Sequence, residues 1–164
     1  MPTPKLNPSR SILVIASDYC NIPNPALLLT GANVQAVSVA SGSCTLVNLN
    51  TATSTIKVGD IIYGYSDYIG ATITSVLVTG PNDIEITYNN PLTFSEGAFV
   101  QVYNGQDDST GCVLYVGQGG AVSVITEGGD DVVFGGVPGG TFFPVQVLKV
   151  KSDYTAASEI LALR

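Results

Sequence analysis

The sequence predicts an all-β fold, either a β-sandwich or a partly open β-barrel, on three observations. Many short segments alternate apolar and polar residues with a period of two, as half-buried strands do. Turns rich in glycine, proline, asparagine and aspartate separate these segments, and glycine alone contributes 18 of the 164 residues. No long stretch shows the 3.6-residue period of an amphipathic helix. Many short strands at this spacing are typical of sandwiches and barrels.

The first ten residues contain three prolines. Because proline fixes φ and biases the preceding residue toward extended geometry, we expect residues 1–10 to form an extended arm. An arm of this kind is suited to docking on a neighbouring molecule. Its candidate contact residues are Pro2, Pro4, Lys5, Leu6, Pro8 and Arg10.

The segment after the arm begins with a continuous apolar run from Ile12 to Ile15. Such a run predicts a strand that is buried on both faces. Residues 21–31 contain two prolines and predict an irregular crossing. Residues 34–40 alternate with period two, as expected of a half-buried strand.

The central part of the chain contains a hairpin with recognisable turn residues. Residues 71–89 form two alternating segments around the turn at residues 80–83, which reads GPND. A Gly-Asp turn precedes the apolar residues 61–63, and residues 99–104 predict another short strand. We therefore assign residues 43–103 to a small inserted β subdomain.

The C-terminal part resumes the β pattern. Short strands are predicted at residues 112–117, 121–128, 131–137 and 142–150, separated by glycine-rich turns. With residues 11–42, residues 104–164 are expected to form the main β domain. Residues 155–163 are compatible with a helix capped by Thr155, and an extended end is the alternative.

One glycine-rich segment, GGVPGGTFFPVQVLKV, places four glycines and a proline before bulky apolar residues. We expect the glycine pairs at 135–136 and 139–140 to form two bends, after which Phe142 and Phe143 enter the core. Pro144 has no N–H donor, so it is expected at a strand edge or a bulge.

Charge is sparse for a soluble chain. Charged residues make up 12% of the sequence, against about 25% in a typical domain, which suggests that other molecules cover part of the surface. The formal net charge of −7 disfavours binding to a phosphate backbone. No apolar run approaches the roughly 20 residues that span a bilayer, and no targeting segment is recognisable. We therefore expect neither nucleic acid nor a membrane as a direct partner.

The residue types present argue against catalysis. Histidine is absent, which removes the commonest general base and the triads built on it. Adjacent carboxylates at Asp107-Asp108 and Asp130-Asp131 lie in glycine-rich turns, where such side chains usually cap backbone N–H groups. Calcium binding and glycosidase-like chemistry are lesser alternatives, and no EF-hand spacing is present. We expect no cofactor and no enzyme activity.

The three cysteines, Cys20, Cys44 and Cys112, are far apart and form no CxxC pair. We expect three buried, reduced thiols, with one disulfide and a free thiol as the alternative. A zinc site has little support without histidine or paired cysteines.

Three tyrosines, Tyr63, Tyr65 and Tyr68, crowd one predicted hairpin. Ordinary cross-strand packing is the simpler interpretation. A contact face for a glycan or another subunit is the alternative, because tyrosine offers apolar area with a polar tip. The candidate contact residues outside the arm are Tyr65, Tyr68, Phe142, Phe143 and Tyr154.

Residues 111–163 resemble a segment common in tailed-phage virion proteins. The pattern is an aliphatic strand ending in Tyr115-Val116-Gly117, a glycine turn, a V-x-V strand at residues 122–124 and a strand reading VPGGTFFPVQV. Residues 58–76 also resemble a module of such proteins, especially those of cyanobacterial phages. The chain has Tyr154-Thr155-Ala156 where family members often carry TTA. The resemblance implies a small virion structural protein.

The resemblance and the low charge lead us to expect a head decoration or cement protein of a virion assembled in the host cytoplasm. Its expected partners are copies of itself, as a trimer, and the major capsid protein or another virion protein. A tail, spike-base or fibre-attachment component is the main alternative. A glycan-binding module is a lesser alternative, and a hydrolase is the weakest.

Overall fold

The structure, a computed structural model, describes residues 9–37, 42–47, 49, 52–105 and 110–164. These residues contain twelve β-strands and two short 3-10 turns, so the prediction of an all-β fold is confirmed. No helix in this part of the chain has the length and apolar character needed to cross a membrane.

The strands have three to ten residues each. They are β1 (Ser11–Leu13), β2 (Leu28–Val37), β3 (Ser43–Val47), β4 (Ile61–Gly64), β5 (Ile69–Val78), β6 (Ile84–Tyr88), β7 (Phe99–Tyr103), β8 (Cys112–Gln118), β9 (Gly120–Thr126), β10 (Asp131–Val137), β11 (Thr141–Val150) and β12 (Ser158–Leu163). The 3-10 turns are Pro25–Leu27 and Thr53–Thr55.

One sheet, here called the terminal sheet, has the order β1-β12-β8-β11-β9-β10 and is antiparallel throughout. β11 pairs with β8 over its first half and with β9 over its second half, and the register shifts between Phe143 and Val147. Pro144 lies within this irregularity, as the sequence predicted. The change of partner lets the sheet fold around one core, to which β8, β9, β11 and β12 all contribute buried residues.

The other six strands close into a barrel in the order β2-β3-β6-β5-β4-β7. Along β6, Ile84, Ile86 and Tyr88 point inward and are buried, while Glu85 points outward. Phe94, from the connection after β6, is also buried in the barrel core. The interior is therefore packed with side chains.

β2 belongs to the barrel, because it pairs with both β3 and β7. The barrel therefore begins at Leu28. The inserted subdomain was predicted to begin at residue 43, and that boundary falls between β2 and β3, which are hydrogen-bonded to each other. The predicted irregular crossing over residues 21–31 extends only through the turn Pro25–Leu27. Leu28 already pairs with Tyr103, since β7 supplies the partner that the local sequence does not reveal.

β1 is an edge strand of the terminal sheet and, within the described residues, pairs only with β12. Ile12 and Ile15 are buried, but Leu13 is 41% exposed. The prediction that this run is buried on both faces was wrong, because the core covers only the inner face of this edge.

The end of the chain is extended, so the helical interpretation of residues 155–163 was wrong and the alternative is confirmed. β12 pairs with β8 on one side and with β1 on the other. This pairing outweighs the weak helical preference of the local sequence. Thr155 does not cap a helix, and its Oγ1 accepts a hydrogen bond from the Ser123 N–H at 3.0 Å.

The glycine pair at 135–136 lies inside β10 and does not reverse the chain. The register shifts between Phe134 and Val137, where Gly136 has a φ of +66°, and such a shift marks a β-bulge. The chain reverses after β10 and before β11. Phe143 then enters the core as expected, but Phe142 is 57% exposed, because successive strand residues point to opposite faces.

Tyr63 of β4 joins the barrel to the terminal sheet. Its hydroxyl donates to the Ile15 carbonyl at 3.1 Å and accepts from the Ile15 N–H at 3.2 Å. Its side chain is 1% exposed, and its ring meets those of Tyr65 and Tyr103 edge-on, with centroids 5.7 and 6.3 Å away. Burial raises the pKa of the Tyr63 hydroxyl well above its ordinary value, so the group remains a donor.

Gly70 of β5 makes room for this contact. A Cβ at this position would lie 2.7 Å from the Tyr63 ring and 3.0 Å from the Cys20 Sγ. The Gly70 carbonyl accepts a hydrogen bond from the Ser17 Oγ at 2.7 Å. A glycine is therefore required where the two β bodies meet.

The three cysteines are buried and form no disulfide, which confirms the prediction of three buried thiols. Burial raises the pKa of the Cys20 and Cys44 thiols to about 12. The Cys112 Sγ donates to the Val147 carbonyl at 3.4 Å. All three therefore behave as small core residues.

Replacing Tyr63 by phenylalanine should lower the free energy of unfolding by about 1–3 kcal/mol, because the buried N–H and carbonyl of Ile15 lose their partner. Urea denaturation measures the change. Tyr154→Phe is the matched control, since it removes an exposed hydroxyl and should leave stability unchanged. Equal effects of the two changes would contradict the joining role of Tyr63.

The folded chain should not react with a thiol reagent at about pH 8, because a thiol of pKa about 12 is ionised in roughly one molecule in ten thousand. Three thiols should react once the chain is unfolded in guanidinium chloride. Rapid labelling of Cys20 or Cys44 in the native chain, detected by mass spectrometry, would show that these two thiols are not buried.

Candidate functional site

The residues expected to make contacts are spread over the molecule. Pro2, Pro4, Lys5, Leu6 and Pro8 lie outside the described residues. Arg10 is exposed, and its backbone N–H and carbonyl both pair with Arg164, each at 3.0 Å. The base of the arm is therefore fixed beside the end of β12.

The tyrosine hairpin is mostly packed. Tyr65 is half-buried, and its ring packs edge-on against that of Tyr63 with centroids 5.7 Å apart. Burial raises the pKa of the Tyr65 hydroxyl above its ordinary value. Tyr68, in contrast, is 73% exposed and has a φ of +54°. Cross-strand packing thus accounts for Tyr63 and Tyr65, and Tyr68 is the one of the three that is presented to solvent.

The remaining candidates divide between core and surface. Phe143 is buried, with its ring centroid 4.7 Å from that of Phe134, so it stabilises the core. Tyr154 is exposed and has a φ of +64°. Phe142 is exposed and belongs to a larger feature of the sheet.

An apolar row crosses the outer face of the terminal sheet. The register places Leu13 opposite Leu161, Leu161 opposite Tyr115, and Tyr115 opposite Phe142. Residues directly opposite in antiparallel strands share one face, so these four side chains, here called the outer row, form a line across β1, β12, β8 and β11. The Tyr115 and Phe142 rings are in contact, with centroids 5.5 Å apart.

The outer row is accessible to another molecule. Leu13 and Phe142 at its two ends are exposed, and Tyr115 and Leu161 between them are half-buried. Contiguous exposed apolar side chains mark interaction surfaces. Sequence reasoning found only Phe142, because the other members are aligned by the register of strands far apart in the chain.

The terminal sheet also has two edge strands, β1 and β10. The Val14 N–H donates to the Ile160 carbonyl of β12 at 2.8 Å, and the backbone groups of Arg10 pair with those of Arg164. In antiparallel pairing the alternate residues, Ser11 and Leu13, direct their N–H and carbonyl groups away from β12. Such an edge is a template for a further strand.

A groove of about 510 Å³, here called the junction groove, lies where the barrel meets the terminal sheet. It is lined by Leu13, Val14, Ile15, Ala16, Tyr68, Ala157, Ser158, Glu159 and Ile160. Tyr68 and Glu159 both have a φ of +54°, a conformation that is uncommon for residues other than glycine. Strained backbone of this kind clusters at functional sites.

The acidic turn that sequence reasoning considered as a metal or catalytic site is occupied by local interactions. The Asp131 Oδ2 forms an ion pair with the Lys151 Nζ at 2.8 Å. The Asp130 N–H donates to the Thr126 Oγ1 at 3.0 Å. Asp107 and Asp108 lie outside the described residues. Among the residues that the structure describes, no three His, Cys, Asp or Glu side chains are grouped as a metal site would require.

No protein-family model, curated protein or solved structure matches the chain. The features that the fold presents to other molecules are the outer row, the strand edges beside it and the junction groove.

Proposed function

We propose that the chain is a non-enzymatic structural subunit of a tailed-phage virion, which acts by burying its outer row against a neighbouring virion protein. The observation that carries the proposal is the outer row itself. It crosses four strands in register, and its two end residues, Leu13 and Phe142, are exposed.

Burial of this row would supply the core of an interface. Full burial of a large apolar side chain contributes about 1.5–3 kcal/mol relative to exposure, and Leu13 and Phe142 have much of that contribution still available. A standard interface covers about 800 Å² on each partner. Because the four side chains of the row cover less than this, polar residues around them must form the rim of the interface.

The segment that resembles virion proteins contributes most of the outer row. Three of the four outer-row residues, Tyr115, Phe142 and Leu161, lie within residues 111–163, the segment that resembles tailed-phage virion proteins. The low charged fraction of 12% also suits a subunit whose surface is covered after assembly.

Within the virion we propose the head lattice as the site, with the chain as a trimeric decoration or cement protein docked on the major capsid protein. A tail, spike-base or fibre-attachment role is the alternative. Copy number separates the two, because a decoration protein covers the whole lattice and a tail component is confined to one vertex. The glycan-binding alternative is less favoured, since Tyr65 is half-buried and packed against Tyr63.

Phe142→Asp should weaken binding to phage particles that lack the protein by at least about tenfold, because it places a charge in an apolar contact. Co-sedimentation with such particles measures the loss, and circular dichroism should show an unchanged fold, because Phe142 is exposed.

Leu77→Asp is the control for this test, since Leu77 is an exposed apolar residue on β5 of the barrel and should bind like the wild type. Equal binding of Phe142→Asp and the wild type would exclude the outer row as the docking surface. Absence of the chain from purified virions, tested by mass spectrometry, would overturn the proposed function.

A further inference from the structure

We propose that the junction groove binds residues 1–8 of a second copy of this chain. The inference rests on the proposed function only in taking the chain to be an assembly subunit. It concerns the contact between copies, whereas the outer row concerns the contact with the particle.

The groove has the size and chemistry to hold a short extended peptide. Its volume of about 510 Å³ falls within the range of about 300–1,000 Å³ that is usual for binding pockets. Leu13, Val14 and Ile160 give it apolar walls, and Glu159 adds a carboxylate. The exposed ring of Tyr68 lines the barrel side.

The sequence of residues 1–8, MPTPKLNP, complements these walls. Leu6 is a bulky aliphatic residue that matches the apolar lining, and the adjacent Lys5 carries the charge opposite to that of Glu159. Each of its three prolines has a fixed φ, so an extended peptide of this sequence would lose less entropy on docking. Proline also tolerates an edge position in a sheet.

The edge of β1 lies in the same place. Leu13 lines the groove and, by its register with β12, directs its backbone N–H and carbonyl away from that strand. An extended peptide in the groove is therefore placed to add a strand to this edge, which is a recurrent mode of peptide recognition.

The geometry at residue 9 favours the groove of a neighbour over the chain's own groove. The N–H groups of Ser9 and Arg10 both donate to the Arg164 carbonyl, at 2.7 and 3.0 Å. These bonds hold the base of the arm at the end of β12, whereas the groove lies at its beginning, around Ser158. Arg164 lies four residues beyond Ile160, the groove residue of β12 that is nearest to it, so the two places are about 13 Å apart. Residues 1–8 would have to reverse direction at once to reach their own groove.

Site-directed disulfide formation tests the proposal. A Leu6→Cys chain mixed with a Ser158→Cys chain should give a disulfide-linked heterodimer on a non-reducing gel after mild oxidation. The native cysteines are buried and do not compete. The matched control pairs Leu6→Cys with Ser75→Cys, an exposed serine on β5 of the barrel, and it should give only background linkage.

Reversal of the charges adds an independent readout. Lys5→Glu should weaken self-association by about two- to fivefold, the size expected of an exposed ion pair. Adding Glu159→Lys to the same chain should restore it, and sedimentation equilibrium measures both changes. Loss of self-association on deleting residues 1–9, with an unchanged circular dichroism spectrum, is also expected.

Equal linkage yields for Ser158→Cys and Ser75→Cys would overturn the inference. So would a wild-type chain that is monomeric at every concentration, or a Leu6→Cys/Ser158→Cys chain that links only within itself. These experiments use no particles, so their failure leaves the outer-row proposal standing. Conversely, a Phe142→Asp chain should still give the Leu6–Ser158 linkage.

Discussion

The hydroxyl of Tyr63 joins the two β bodies, because it satisfies both backbone groups of Ile15. At this residue the chain leaves its pairing with β12, and a buried N–H and carbonyl would otherwise lack a partner. A side chain from β4 of the barrel takes the place of a neighbouring strand. The junction groove depends on this contact, because Ile15 forms part of its wall and Tyr68 follows in the turn after β4.

β4 explains how the two cores share one strand. Ile62 is buried in the barrel core, whereas Ile61 and Tyr63 are buried in the core of the terminal sheet. Tyr103 of β7 is also buried in the core of the terminal sheet, while Val102 beside it is buried in the barrel core. The outer surface of the barrel therefore closes the inner face of the sheet, and the core of the terminal sheet is completed by barrel residues.

The all-β class, most strands and the irregularity at Pro144 were predictable, because period-two alternation and turn residues are local signals. A continuous apolar run was a less reliable predictor of burial on both faces of a strand. The prediction of burial on both faces failed for Ile12–Ile15 at a sheet edge, whereas the apolar residues Ile61–Tyr63 are buried on both faces because two bodies meet there. The local signal is the same in both places, and only the tertiary surroundings differ.

Most residues of the outer row could not be predicted from local sequence patterns. Phe142 was identified as a contact residue, but its alignment with Leu13 depends on three strand registers that join distant parts of the chain. The placement of β2 in the barrel and the extended form of β12 also depend on partners that are remote in sequence. Pairing of this kind decides which face a side chain occupies, since a shift of one residue would reverse it.

Closure gives the barrel strands no lateral edge, whereas the terminal sheet ends in two unlike strands, β1 and β10. Lateral growth by backbone pairing is therefore confined to one half of the molecule. A contact between unlike edges is polar, and its rotation angle determines whether successive copies close into a ring or continue as an open helical polymer.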